Sequence, residues 1–277
     1  MSATQTITPA TEESPRRVRA LLPERIRVAR PPRWWQEIGF IGICYELYSL
    51  VRNAVPDQEE TAFRRAVDVL RVEADLHLNV ERSLNAFVAR THALAYLCDY
   101  YYATLHFVVT IAVLVWVYRR YPLHYRALRS VLMVTTVTAL LGFYLFALAP
   151  PRMLGSRGFV DTIVTFHTWG SWGSSGVDSA SNQFAAMPSL HIAWALWSAI
   201  VVVRLSRRQW LRVLAVSYPC ATLFVIIGTA NHYVVDAIGG VVVLSVGFAV
   251  NRALAGRGAF APPELLPAQR QPKNTRS

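Results

Sequence analysis

The chain has 277 residues, of which 53% are hydrophobic and 16% are charged, and its mean hydropathy is +0.30. This apolar content exceeds what a soluble domain of that length needs for its core, so the composition argues against a water-soluble enzyme and indicates a polytopic membrane protein. The formal net charge of +11 suits a nucleic-acid partner, but the basic residues cluster at the ends of apolar segments. We therefore expect a lipid bilayer as partner and no nucleic acid.

The first third of the chain is predicted to hold three segments. Residues 1–33 are polar and rich in arginine, without the apolar core of a signal peptide, which is typical of a disordered basic tail. Trp34 and Trp35 are expected to anchor a first membrane span within residues 34–56, with its apolar part over 36–54. Residues 57–92 alternate charged and apolar side chains at near-helical spacing, which predicts an amphipathic pair of interfacial helices.

Residues 93–255 are predicted to form the core membrane domain. Its apolar stretches match the length that a hydrocarbon core of roughly 30 Å demands of a helix. Five further spans are predicted at about 94–118, 129–149, 185–204, 209–229 and 232–254. With the first span they make an all-α, six-helix transmembrane bundle, followed by a disordered tail over residues 256–277.

The arginines predict the orientation of this bundle. When six spans are threaded, the arginine-rich ends of the apolar segments fall on one side, which the positive-inside rule assigns to the cytoplasm. Both termini are therefore expected to be cytoplasmic in a multi-pass cell-membrane protein. The 57–92 segment and the loop over 150–183 then lie on the extracytoplasmic face.

Two short strings at the outer ends of predicted spans carry the candidate chemistry. They are Met187–His191 and Asn231–Asp236. We expect Pro188 in the first turn of one helix and Asn231 at the N-cap of another, so that both histidines lie in first turns. Two converging helix N-termini would attract an anion, phosphate above all, through free N–H groups and the helix dipole.

The spacing within the second string suggests how a histidine is activated. His232 and Asp236 are four residues apart and share one helical face, so the carboxylate is expected to accept the ring N–H of His232. That contact would fix the tautomer of a nucleophilic imidazole, and His191 would supply an acid. A lone membrane-face histidine is more often a packing residue, so the interpretation depends on the combination.

These strings resemble the second and third signature motifs of the type-2 phosphatidic acid phosphatase superfamily. The wider strings Ala149–Arg152, Ala185–His191 and Thr229–Tyr233 look more like its inositolphosphorylceramide-synthase-like branch, which comprises inositolphosphotransferases. The resemblance implies metal-independent phosphoryl transfer in a six-helix domain. It implies that His232 attacks phosphorus to form a phosphohistidine, that Asp236 orients His232, and that His191 protonates the departing oxygen.

The chain also departs from the superfamily pattern. Its one lysine, Lys273, lies in the predicted tail, Arg152 is followed by Met153 and not by proline, and Leu190 replaces a commoner glycine. Fewer cations favour a less charged phosphate, and a phosphodiester carries less charge than a monoester. Arg152 is the strongest candidate for a phosphate clamp, because a guanidinium can bind two oxygens at once.

Further residues are expected to bind the phosphate or the rest of the substrate. Asp99 and His106 are seven residues apart on one face of a predicted span, and Ser189 is expected to offer a first-turn N–H or hydroxyl. The predicted binding set is Arg152, Ser189, Asn231, Tyr233, His106 and Asp99. The sequence implies no metal ligand set and no cofactor, and Cys44, Cys98 and Cys220 are expected to be packing residues.

The function predicted is therefore an enzyme that acts on a membrane lipid phosphoester, most simply a lipid phosphotransferase. Hydrolysis of a lipid phosphate or prenyl phosphate shares the covalent step and stays open as an alternative. A proton-coupled transporter and a catalytically silent scaffold are remoter alternatives. Sequence leaves open the lipid donor and acceptor, the role of the 150–183 loop and the oligomeric state.

Overall fold

The structure is a computed structural model that describes residues 20–22, 33–39, 42, 46, 59–168 and 184–262. The predicted basic tail, the first span over 36–54 and the C-terminal tail therefore lie largely or wholly outside the described residues. Glu37 is one exception, because its carboxylate pairs with the Arg129 guanidinium and connects the N-terminal segment to the membrane domain.

The described chain is helical, and its one β-type contact is an isolated bridge between Leu148 and Ala185. Two of the helices described below precede the bundle, five form it, and one short helix lies in the long loop. In chain order these elements are α1 (Glu59–Asp75), α2 (Glu81–Ala89), α3 (His92–Arg120), α4 (Pro122–Leu145), α5 (Thr162–Phe166), α6 (Leu190–Leu205), α7 (Gln209–Gly228) and α8 (Val234–Ala255).

Four of the described helices, α3, α4, α7 and α8, are long and apolar enough to cross a membrane, and α6 is a shorter apolar helix of 16 residues. Each overlaps one predicted span. The observed and predicted first residues differ most at α4, which begins at Pro122, seven residues before the predicted start at residue 129. The reason is that Pro122 is well suited to the first helical turn, where its missing N–H is no loss.

The two motif helices begin later than the sequence predicted. Ser189, not Pro188, precedes α6 as its N-cap, so Pro188 lies outside the helix. Tyr233 is the N-cap of α8, so the prediction of Asn231 at this position is wrong. His191 does lie in the first turn of α6, whereas His232 lies two residues before α8 begins.

The core forms where α8 packs against α4 and α6, with α6 also contacting α3 and α7. Trp197 of α6 is fully buried, and its indole N–H donates to the Leu128 carbonyl of α4 at 3.1 Å. Pro188 fits between two glycines: a Cβ at Gly142 of α4 would lie 2.5 Å from its ring, and one at Gly239 of α8 would lie 3.0 Å away. These close approaches hold the second motif against both neighbouring helices.

The long helices also direct many apolar side chains away from the core. On α3 the exposed set includes Phe107, Val108, Ile111 and Val115, and α8 exposes Ile238, Val241 and Val242. Contiguous apolar surface of this kind is costly in water and typical of a lipid-facing wall. The distribution agrees with the composition, which indicates a membrane protein.

Residues 57–92 contain two helices, α1 and α2. They do not stand apart from the bundle, because α2 packs on α7 and α1 contacts α8. A Cβ at Gly228, the last residue of α7, would lie 2.7 Å from the Val88 side chain of α2. The pair therefore covers the end of the bundle at which α8 begins.

Candidate active site

Backbone contacts bring the predicted motifs to one place. The Ser189 N–H donates to the Asp236 carbonyl at 2.9 Å, and the Arg152 N–H donates to the Ala230 carbonyl at 2.8 Å. Ala230 adopts a left-handed backbone conformation, with φ of 53°, which sharply turns the chain between α7 and α8. The three predicted segments thus meet at the N-terminal ends of α6 and α8.

The ring of His232 is held by one of its nitrogens. Its Nδ1 lies 2.8 Å from the Ala186 carbonyl oxygen and 3.3 Å from Asp236 Oδ2. A carbonyl only accepts, so Nδ1 is the protonated nitrogen and donates to both oxygens. Nε2 is buried and has no hydrogen-bond partner among the described residues, which leaves its lone pair available for attack on an electrophile.

His191 lies beside His232 in an aromatic cluster. The two imidazole centroids are 5.5 Å apart, the Tyr102 ring stacks on His191 at 4.2 Å, and the His106 ring meets it edge-on at 4.2 Å. Neither ring nitrogen of His191 has a hydrogen-bond partner of good geometry within the described chain. The two imidazoles are therefore neighbours, and the nitrogens of His191 are uncommitted within the described chain.

A π-helical turn in α3 positions the aromatic side of this cluster. Residues Tyr101–Leu105 form the turn between two α-helical parts of α3, and such insertions are frequent at functional sites. The His106 Nδ1 lies 3.0 Å from the Tyr102 carbonyl oxygen, an acceptor, so this nitrogen is the donor. The turn brings Tyr102 and His106 onto His191, which helical spacing alone did not predict.

The start of α8 is surrounded by carboxyl groups. Asp236 Oδ2 accepts from the Tyr233 N–H at 2.9 Å, Glu81 accepts from the Val234 N–H at 3.1 Å, and Glu73 accepts from the Val235 N–H at 2.8 Å. The expectation of free N–H groups for phosphate at this helix end is therefore wrong. Protein carboxyls occupy the positions that the helix dipole would otherwise offer to an anion.

Arg152 lies at the edge of the site and is already paired. Its Nη1 donates to Asp161 Oδ2 at 2.8 Å and its Nε donates to Asn231 Oδ1 at 3.0 Å, and its side chain is 17% exposed. Asn231 also donates to the Thr229 hydroxyl at 2.8 Å. Because Asn231 is next to His232 in the chain, the guanidinium is tied directly to the segment that holds the ring.

The other predicted binding residues have mainly structural partners. Tyr233 is fully buried and its hydroxyl donates to the Ala149 carbonyl at 2.9 Å; burial raises the pKa of that phenol, so it remains a donor. The Ser189 hydroxyl caps α6 by accepting the Ile192 N–H at 3.5 Å. Asp99 accepts from the Thr162 and Thr168 hydroxyls, both at 2.7 Å.

The Asp99 contacts hold the described part of the long loop against α3. Asn85 of α2 adds to them, because its buried amide donates to the Val160 and Gly228 carbonyls at 3.0 Å and accepts from the Val160 N–H at 2.8 Å. Trp169 and Trp172 of the same loop lie outside the described residues. Asp161 lies in this loop and accepts from the Arg152 guanidinium.

Sequence reasoning missed Glu73, Glu81, Asn85 and Tyr102. A signal for the first three was present, because they occupy the inward helical positions: Ala62, Ala66 and Glu73 are the buried residues of α1, and Glu81, Asn85 and Val88 are those of α2. An acidic residue on the same helical face as two buried alanines predicts a buried polar contact. The prediction of an interfacial helix pair considers only the apolar side chains as the buried face of each helix.

A scan against protein-family models matches the PAP2 superfamily over residues 67–250. The chain belongs to the PAP2 superfamily. It is therefore an enzyme of the type-2 phosphatidic acid phosphatase class, a phosphatase or phosphotransferase of lipid metabolism. Among curated proteins and among solved structures, no match is found. The matched range includes α2 and the end of α1, so the family domain begins before the predicted core domain at residue 93.

Proposed function

We propose that this PAP2-superfamily enzyme is a metal-independent lipid phosphotransferase, of the inositolphosphotransferase type, that works through a phosphohistidine on His232. The observation that carries the proposal is the state of that ring: Nδ1 is engaged by Ala186 and Asp236, and Nε2 is buried without a partner among the described residues. This is the arrangement a nucleophilic imidazole requires, with the carboxylate stabilising the charge that develops on attack.

The chemistry follows from the two facing rings. Nε2 of His232 attacks phosphorus, the bond from phosphorus to the donor's oxygen breaks, and that oxygen takes a proton from His191. An acceptor hydroxyl then attacks the phosphohistidine, gives its proton to His191, and the phosphorus–nitrogen bond breaks to restore Nε2. The 5.5 Å between the ring centroids supports this scheme, because two rings at that separation can both contact one phosphoryl group.

Charge at the site supports a phosphodiester donor. Arg152 is the guanidinium nearest to the histidine segment in the hydrogen-bond network, and Asp161 neutralises it at 2.8 Å. The sequence has one lysine, Lys273, which follows the last motif by 37 residues in the chain. A paired arginine and no adjacent lysine favour a singly charged phosphodiester over a doubly charged monoester.

The proposal includes the membrane placement. Six spans, with the segment over 36–54 as the first, put both termini in the cytoplasm of the cell membrane and the histidines at the extracytoplasmic face. Helices α1 and α2 then lie at the outer interface, residues 93–255 form the phosphoryl-transfer core, and a membrane lipid reaches the site from the bilayer. Arg152, Ser189, Asn231 and His106 would bind the phosphate or line the pocket.

The proposal is tested by trapping and chasing the intermediate. The purified protein is given lipid phosphodiesters with labelled phosphorus, quenched, and examined for label on His232, with His232→Ala as control. The trapped protein is then exposed to water or to alcohols such as inositol lipids, diacylglycerol and ceramide. Label that leaves only with an alcohol supports a transferase, and label that leaves in water alone assigns the hydrolase instead.

Two further outcomes bear on the chemistry. Equal labelling of the His232→Ala protein would remove the phosphohistidine proposal. The resemblance also implies turnover without a metal, so activity is expected to survive a strong chelator. Loss of activity in the chelator, with rescue by a divalent cation, would contradict the scheme.

A further inference from the structure

Two acids outside the predicted motifs contact the start of α8. Glu73 is in the last turn of α1 and Glu81 is the first residue of α2, and their exposed fractions are 0% and 1%. Glu81 Oε1 accepts the Val234 N–H at 3.1 Å and Glu73 Oε1 accepts the Val235 N–H at 2.8 Å. Carboxyl groups buried this completely are rare unless a specific partner holds them.

With Asp236, these two acids make three carboxyl groups that accept from three consecutive backbone N–H groups. Asp236 Oδ2 takes the Tyr233 N–H at 2.9 Å, so the donors at positions 233, 234 and 235 all end on carboxyl oxygens. His232 is the next residue toward the N-terminus. The orientation of this short segment decides where Nε2 points, because the ring has its own anchors only on the Nδ1 side.

We infer that Glu73 and Glu81 are positioning residues, which hold the first turn of α8 from outside and so direct His232 Nε2 toward the phosphoryl group. Helices α1 and α2 are then part of the active centre and not only a membrane-surface element. This inference rests on the proposed nucleophilic role of His232.

The charges around Glu73 make this arrangement sensitive to pH. Burial, helped by the neighbouring carboxylates of Glu81 from α2 and Asp236 from α8, raises the pKa of Glu73 to about 8. Further titratable groups that face this cluster are the Tyr233 hydroxyl and the His232 ring, whose Nδ1 lies 3.3 Å from Asp236 Oδ2. Glu73 Oε2 is buried with no hydrogen-bond partner of good geometry in the described part of the chain. Below pH 8 the Glu73 carboxyl is therefore mainly neutral.

Above that pH Glu73 ionises beside the Glu81 and Asp236 carboxyl groups. The added repulsion from Glu81 and Asp236 loosens the first turn of α8, so the rate of the covalent step falls as Glu73 ionises. A glutamine at position 73 retains an oxygen acceptor for the Val235 N–H and cannot ionise. The Glu73→Gln variant therefore shows the effect of the charge on the rate while the hydrogen bond to the Val235 N–H is retained.

The experiment compares alanine and glutamine at both positions in the full-length protein in detergent. The variants are Glu73→Ala, Glu73→Gln, Glu81→Ala and Glu81→Gln, with the exposed Asp75→Asn on the same helix as control. For each, kcat and KM on a labelled lipid phosphoester are measured from pH 6 to 9.5, with the thermal unfolding midpoint and amide exchange at Val234 and Val235. A displacement near 1 Å of a reacting group lowers the reaction rate on the order of 100-fold.

We expect the alanine variants to lower kcat by about 10- to 100-fold while KM changes little, and the glutamine variants to restore most of that loss. The wild-type kcat is expected to fall above pH 8, and Glu73→Gln to lack this fall. Wild-type kcat in a folded alanine variant, or an alkaline fall that Glu73→Gln retains, would overturn the inference. So would losses that glutamine does not restore.

Failure of the proposed function is distinguishable from failure of this inference. If His232→Ala turns over the lipid as fast as wild type, the nucleophile assignment fails. Amide exchange still tests the contacts in that case, because loss of either carboxyl is expected to speed exchange at Val234 or Val235. Unchanged exchange in both alanine variants would overturn the positioning role by itself.

Discussion

Replacing Gly240 with alanine tests whether the close contact of α6 and α8 sets the catalytic geometry. Gly240 lies four residues after Asp236, where α8 crosses the start of α6. A Cβ at this position would lie 2.5 Å from the Ser189 carbonyl oxygen and 3.3 Å from the Ala193 nitrogen. Both are backbone atoms of the helix that carries His191, so no flexible side chain can turn away.

The size of the effect follows from that distance. The two helices must separate by about 0.9 Å at this point to bring the Cβ to ordinary contact at 3.4 Å. Since a 1 Å misplacement can cost about 100-fold in rate, we expect turnover to fall by about that factor. Overpacking costs roughly 1–3 kcal/mol of stability, and the better helix propensity of alanine offsets up to about 1 kcal/mol.

Gly247→Ala is the matched control, because it lies two turns further along α8. There a Cβ would meet the Val131 carbonyl oxygen of α4 at 2.8 Å and the Thr135 hydroxyl at 2.3 Å. The assay is the initial rate on a lipid phosphoester together with thermal unfolding in detergent. Both variants are expected to lose stability, and only Gly240→Ala to lose about 100-fold in rate. A folded Gly240→Ala protein with wild-type turnover, or an equal rate loss in both, would refute this reasoning.

Three further predictions concern the site and its loop. His232→Ala should lower turnover by about 10³-fold or more, whereas the exposed His77→Ala should not; comparable rates in the two proteins would contradict the nucleophile assignment. Asp161→Asn leaves Arg152 without its anion, so the ratio of monoester to diester turnover should rise about tenfold, equivalent to roughly 1.4 kcal/mol; an unchanged ratio speaks against charge selection. Asp99→Ala leaves two buried threonine hydroxyls unpaired and should lower the free energy of unfolding by about 1–3 kcal/mol for each hydroxyl. Denaturant titration measures this change, and an unchanged unfolding midpoint would show that the loop does not depend on the Asp99 carboxylate.

The sequence predicted the features that depend on local pattern. Hydropathy and helical spacing located α3, α4, α6, α7 and α8, because a helix satisfies its backbone internally and so can be recognised from its own residues. The His232 and Asp236 pair is likewise local. Four-residue spacing brings the two side chains together at 3.3 Å, even though α8 starts after His232.

Other features depend on contacts between distant segments. The closest acceptor of His232 Nδ1 is the Ala186 carbonyl, 46 residues away, and no side-chain pattern encodes a backbone oxygen. Asp161 appeared in a loop of unknown role, and only the fold shows that it pairs with Arg152. The same holds for Tyr102, because helical spacing does not predict the π-helical turn that brings it to His191.

Composition, periodicity and short spacings are properties of neighbouring residues, and they were enough to predict a helical membrane protein with two histidines and an aspartate near helix starts. The identity of the groups at the N-terminal end of α8 depends instead on how distant helices pack. Glu73 and Glu81 occupy this helix end from 162 and 153 residues away. A helix end exposes N–H groups whatever its sequence, and the partner that reaches them is fixed by how separate helices pack.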